Sequence, residues 1–152
     1  MLMNLLIGLP TMMSCLFLQL TLLVLVLRYY ARHGSLVNDA SQWSTLIVVN
    51  SVMTILVVGN LAQLTIWALV FMMLGEFEEL AEALYYSAVN FATLGYGDIV
   101  MSERYRFLGP LEAINGVLMI GVSTAVLMAT FQDAIGKTIQ ARQKAASLTG
   151  DV

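Results

Sequence analysis

Three long stretches of this chain carry no charge, and they limit what it can fold into more than any other feature. Met1 to Leu27, Leu46 to Leu74 and Ala113 to Gln132 each run without an Asp, Glu, Lys or Arg. A helix rises about 1.5 Å per residue and needs about 20 apolar residues to cross bilayer hydrocarbon, so each run is long enough to span. Of the 152 residues, 59% are hydrophobic and 11% charged, with a mean hydropathy of +0.83. An ordinary soluble domain has about 25% charged and about 45–50% apolar residues. A water-soluble chain of this length has no core large enough to hide that much apolar surface. The expected fold class is an all-α integral membrane protein with three transmembrane helices.

The first run is interrupted at Gly8-Leu9-Pro10. Proline is tolerated in a helix's first turn, so the span either begins near Pro10 and ends at Leu27 or starts earlier with a kink. No cations precede the run and no small-residue cleavage pattern follows it, which argues against a signal peptide. Arg28-Tyr29-Tyr30-Ala31-Arg32 closes the span with cations and interfacial aromatics. A polar loop, with His33 as a solvated residue, is expected to about Ser44, and Trp43 suits the next interface. The second run exceeds what hydrocarbon needs and should tilt or protrude. Its Asn50, Gly59, Asn60 and Gln63 read as helix-packing and interhelical hydrogen-bonding residues.

Several functions are disfavoured. One cysteine, Cys15, allows no disulfide within the chain and no cysteine-built metal site. A net charge of −3 without a basic, aromatic-interleaved stretch gives no nucleic-acid surface. No nucleophile–base set, metal cluster or phosphate loop points to an enzyme.

The character of the chain changes after the second run. Glu76, Glu78, Glu79 and Glu82 crowd a short acidic turn, and Leu80 to Ala92 forms an apolar run of about 13 residues, too short to span but suited to a re-entrant helix. Thr93-Leu94-Gly95-Tyr96-Gly97-Asp98 comes next. Its two glycines are free to take φ > 0. Glycines alternating with residues of ordinary handedness turn successive carbonyls toward one side, and such a column of oxygens can replace the water around a cation. Non-helical backbone exists at membrane depth only where it is buried in protein or lines a wet cavity.

This hexapeptide resembles the selectivity filter of potassium channels, usually written with Val or Ile where this chain has Leu94. The resemblance covers about residues 46–135. It implies a pore module of outer helix, re-entrant pore helix, extended filter and inner helix, with one additional N-terminal transmembrane helix. It also implies K⁺ sites lined by the carbonyls of Thr93, Leu94, Gly95 and Tyr96 and the Thr93 hydroxyl, with Gly97 completing the filter. One chain supplies one wall of oxygens, so the implied assembly is a homotetramer in a lipid bilayer, with K⁺ as the permeant ion and no cofactor. Ala83-Leu84-Tyr85-Tyr86-Ser87 resembles the family's aromatic cuff. Tyr85 and Tyr86 would support the filter, and by position Tyr85 would bond Asp98. Val89 stands where some relatives carry a buried glutamate.

In the third run, Gly116 and Gly121 are candidates for the bend that opens a gate, or for close helix packing. Ser123 and Thr124 would face a water-filled cavity or bond back to their own helix. Glu112 invites a functional reading, yet in the first turn after Pro110 a carboxylate suits the helix dipole. No arginine repeat of a voltage sensor is present.

The expected organisation is residues 1–45 as an N-terminal helix and cytoplasmic loop, 46–135 as the pore domain and 136–152 as a short cytoplasmic tail, its polar residues open to a frayed amphipathic helix. Arg28, Arg32, Lys137, Arg142 and Lys144 fall on one side, the glutamates and Asp98 on the other, with Arg104 and Arg106 dissenting. The positive-inside rule then puts the C-terminus in the cytoplasm and the N-terminus and filter outside a cell's plasma membrane, eukaryotic or prokaryotic. The function expected is passive, K⁺-selective conduction. A weakly selective cation channel and a non-conducting accessory membrane protein are the alternatives, since neither intramembrane charges nor paired repeats favour a transporter.

Overall fold

The computed structural model describes residues 1–37 and 42–149. Four helices follow one another: α1 (Leu2–Val37), α2 (Gln42–Met73), α3 (Leu80–Phe91) and α4 (Leu108–Thr149), with no strand among the described residues. Three segments are long and apolar enough to cross a membrane: Leu2–Arg32, Thr45–Met73 and Leu108–Ala141. Only 22%, 33% and 28% of their most apolar windows is buried within the protomer. Most of their side-chain surface is therefore apolar and uncovered, as lipid or further subunits require.

Two helices extend past their apolar runs. Pro10 lies inside α1 and not at its start, and the hydroxyls of Thr11 and Ser14 donate to the carbonyls of Ile7 and Pro10 at 2.8 and 2.9 Å. These are hydroxyls bonding back to their own helix one turn earlier, and neither reaches the Leu6 carbonyl that proline leaves without an amide. At its other end α1 runs helically through Arg28 to Val37, where a polar loop was expected. Likewise α4 continues to Thr149, so the polar tail is helical up to that residue. Residues 38–41 and the side chains of His33, Arg142 and Lys144 lie outside the described residues.

The chain divides into two compact units, Met1–Thr21 with Val58–Val122, and Leu22–Val57 with Ser123–Val152. The second explains both extensions. There Val26, Val52 and Leu56 form one buried cluster and Val48 and Ala134 another. Tyr30 donates to Asp133 at 2.7 Å, Lys137 pairs with Asp133 at 2.6 Å and its ammonium sits 5.0 Å from the Tyr30 ring centroid. Thr45 and Thr138 share a buried hydrogen bond of 2.7 Å. Tertiary packing of this kind keeps helical what composition alone would release.

The first unit holds α3 and the segment after it. Its core is aromatic: Phe71 meets Trp67, Phe77 and Tyr86 at centroid distances of 5.8, 6.4 and 5.4 Å. The start of α1 belongs to this core as well. Cys15 is fully buried, Gln63 donates to Gln19 at 2.7 Å, and a β-carbon on Gly8 would stand 2.5 Å from Leu111 Cδ1.

Candidate functional site

Two helix ends in the first unit are built alike. At the end of α2, Gly75 takes φ 75°, its N–H bonds the Met72 carbonyl and that of Glu76 reaches back to Phe71. At the end of α3, Thr93 takes φ 59°. Its N–H bonds Asn90 at 2.8 Å, and the N–H of Leu94 reaches Val89 at 2.8 Å. Both are Schellman caps, in which a left-handed residue just past the helix lets two amides satisfy its last carbonyls. Glycine is the usual occupant. Threonine there bears a β-branched penalty of about 1–2 kcal/mol.

From Thr93 the left-handed conformation alternates. Gly95 has φ 56° and Gly97 φ 73°, while Leu94, Tyr96 and Asp98 are not in that region. Three left-handed residues spaced by two, the first a threonine, form a repeating backbone of the kind that aims successive carbonyls to one side. Residues Ala92 to Asp98 are all exposed in the protomer. No atom lies within 4 Å of a β-carbon built on Gly95 or Gly97, so only their dihedral angles demand glycine.

The segment is anchored at both ends. Beyond it, the Tyr85 hydroxyl donates to Asp98 at 2.6 Å. This bond, together with backbone amides at Asp98 and Ile99, holds the Asp98 carboxyl below the usual range, while the same bond pushes the Tyr85 phenol upward. Further along, Ser102 gives both its N–H and its hydroxyl to Glu76, at 2.7 and 2.6 Å. That carboxylate therefore clamps the loop leaving the segment, while Glu78, Glu79 and Glu82 stay exposed. A recess of about 390 Å³ is lined by Tyr85, Val89, Asn90, Gly95, Gly97 and Asp98, among others.

The structure separates the two tyrosines. Tyr85 faces Asp98, whereas Tyr86 turns into the core, 5.1 Å from Phe77 between ring centroids, with Gly109 leaving room for its hydroxyl. The two glycines of α4 also part company. A β-carbon on Gly116 would lie 2.0 Å from the Phe91 carbonyl oxygen, while one on Gly121 would meet nothing within 4 Å. Gly116 is thus the point where α4 backs onto the last turn of α3. Ser123 is buried and Thr124 exposed.

Glu112 departs from the dipole reading. The first turn of α4 holds no acid, and Glu112 is fully buried. Its Oε1 is in hydrogen-bond contact with Ser87, whose hydroxyl donates to the Leu64 carbonyl at 2.6 Å. Neither Ser87 nor the Glu76–Ser102 clamp was legible as a partner, because both pairings join residues about 25 positions apart. The signal that was present is an acid inside an otherwise apolar run.

A family model described as an ion channel matches residues 55–133, from α2 through α3 and the extended segment into α4. This chain belongs to that ion-channel family, whose pore domain is of the two-transmembrane, potassium-channel type. No curated protein and no solved structure matches it.

Proposed function

We propose that four copies of this chain surround one axis and conduct K⁺ passively and selectively, with Thr93–Gly97 as the filter. The observation that carries this reading is the alternation of left-handed residues at Thr93, Gly95 and Gly97. It supports a wall of carbonyl oxygens from Thr93, Leu94, Gly95 and Tyr96, joined by the Thr93 hydroxyl, in place of the hydration shell of K⁺. The exposure of the whole segment in one protomer supports assembly. Irregular backbone at membrane depth needs protein or water around it, and three further copies supply both.

In this reading α2 is the outer helix, α3 the pore helix and α4 the inner helix. The C-terminal end of α3 directs its negative dipole end toward the cavity. Tyr85 and Asp98 brace the outer mouth, and the exposed glutamates there raise the local cation concentration. Gly121 is the favoured bending point of α4, because Gly116 is committed to packing, and Thr124 is the favoured cavity residue, because Ser123 is buried. Arg28, Arg32 and Lys137 face the cytoplasm of a cell whose plasma membrane the protein spans, with the filter's mouth outside.

Efflux of K⁺ from liposomes containing the purified protein tests this. The wild-type protein should release the ion, and Gly97→Ala should abolish release while the protein stays folded. Equal release by the two would remove the filter from Thr93–Gly97, and none from the wild type would favour an accessory role.

A further inference from the structure

Among the described residues, Glu112 is the one fully buried acid. No Lys, Arg or His among them pairs with it, and its Oε2 has no partner. Cys15 from α1 and Tyr86 from α3 are its ionisable neighbours, and neither carries positive charge in any state. An ionised carboxylate in such surroundings bears a desolvation cost with no cation to offset it.

Counting hydrogens leads to the same place. Ser87 Oγ has one hydrogen and two oxygens in bonding range, the Leu64 carbonyl and Glu112 Oε1. A carbonyl brings no hydrogen, so the hydroxyl must donate to Leu64 if that contact of 2.6 Å is to be attractive. The contact to Glu112 is then a hydrogen bond only if the carboxyl supplies the proton. One hydrogen serves two acceptors only in a three-centre bond, whose contacts are longer and weaker than these two.

The position of this chain of bonds gives it a consequence. Ser87 and Phe91 lie one turn apart on α3, and Glu112 and Gly116 lie one turn apart on α4. Glu112 meets Ser87, and Gly116 meets the Phe91 carbonyl. The two helices therefore run in the same direction along a shared seam, and the Leu64 carbonyl adds α2 to it. The amides of Thr93 and Leu94 hang from the last turn of that same α3.

We propose that Glu112 keeps its carboxyl proton and donates it to Ser87, and that this makes it a positioning residue, fixing the pore helix against the inner and outer helices and so holding the filter in register. The positioning role rests on Thr93–Gly97 being the filter; the protonation does not.

Infrared spectroscopy of the protein in lipid at neutral pH tests the protonation directly. A protonated-carboxyl C=O band should be present, disappear in Glu112→Gln and shift toward a free acid in Ser87→Ala. Absence of that band, or a band indifferent to Ser87→Ala, would overturn the tie even if the protein conducts no ion. For the positioning role, the K⁺/Na⁺ permeability ratio should survive in Glu112→Gln, whose amide still donates to Ser87. It should fall about tenfold or more in Ser87→Ala and Glu112→Leu, the scale of one lost buried hydrogen bond. An unchanged ratio in Ser87→Ala with the tetramer intact would refute that role.

Discussion

Thr93 is left-handed where the matching cap of α2 uses Gly75, so at this residue the chain accepts local cost to keep a hydroxyl and a carbonyl together. Thr93→Gly should relieve about 1 kcal/mol per copy and raise the temperature at which the protein unfolds in detergent, yet lower K⁺ flux. A variant that is less stable and conducts normally would contradict this. Gly97→Ala acts in the opposite sense. With no atom of its own protomer within 4 Å of the added carbon, the penalty within the protomer is the dihedral angle, about 1–2 kcal/mol per copy, and flux should be lost without loss of folding. The Tyr85–Asp98 bond sets a pH window. Asp98 sits below the ordinary aspartate value of about 3.9, so the bond is present above that pH and lost only as pH falls through the lowered value. Tyr85 is raised, so the bond is also kept below about pH 10. K⁺ current should be flat between about pH 5 and about pH 9, and Tyr85→Phe should shorten open dwell times across that whole range. The hexapeptide was legible in sequence because glycine spacing is local. The third left-handed residue was not, since nothing in a threonine announces φ > 0.

At the scale of elements, the seam between α3 and α4 separates two glycines that spacing alone left equivalent. Gly116→Ala would place a carbon 2.0 Å from the Phe91 backbone oxygen, and backbone cannot swing aside as a side chain can. It should cost about 2 kcal/mol or more of stability and reduce selectivity, because α3 carries the segment proposed as the filter. Gly121→Ala meets nothing in the protomer and gains about 1 kcal/mol of helix propensity, so it should leave selectivity intact and change open probability. Single-channel recordings with both variants read the two effects separately, and equal loss of selectivity would undo the distinction. The spans were readable from their missing charges. Their ends were not. Arg28 to Val37 is polar enough to suggest a loop and Asp133 to Thr149 a frayed helix, and both are continuous helix because Tyr30 bonds Asp133, Lys137 sits over the Tyr30 ring and Thr45 pairs with Thr138, contacts between residues more than 90 positions apart.

For the whole molecule, the exposed, alternating backbone from Thr93 to Gly97 is what one chain leaves uncovered, and the proposed pore needs four copies around it. Native mass spectrometry of the detergent-solubilised protein should give a mass of four chains, and a stable monomer or dimer would be incompatible with a central pore. The apolar composition, the three spans and the short helix between the second and the third were all open to reading from sequence, because each rests on run length and local chemistry. How the first helix enters the fold was not, since Gly8, Cys15 and Gln19 acquire their meaning only against Leu111 and Gln63. The most direct test of the central claim is the reversal potential in a planar bilayer with KCl on one side and NaCl on the other. Selective conduction predicts a reversal displaced by about 59 mV for each factor of ten in the K⁺/Na⁺ permeability ratio, and by at least about twice that in all. A reversal near zero would contradict it.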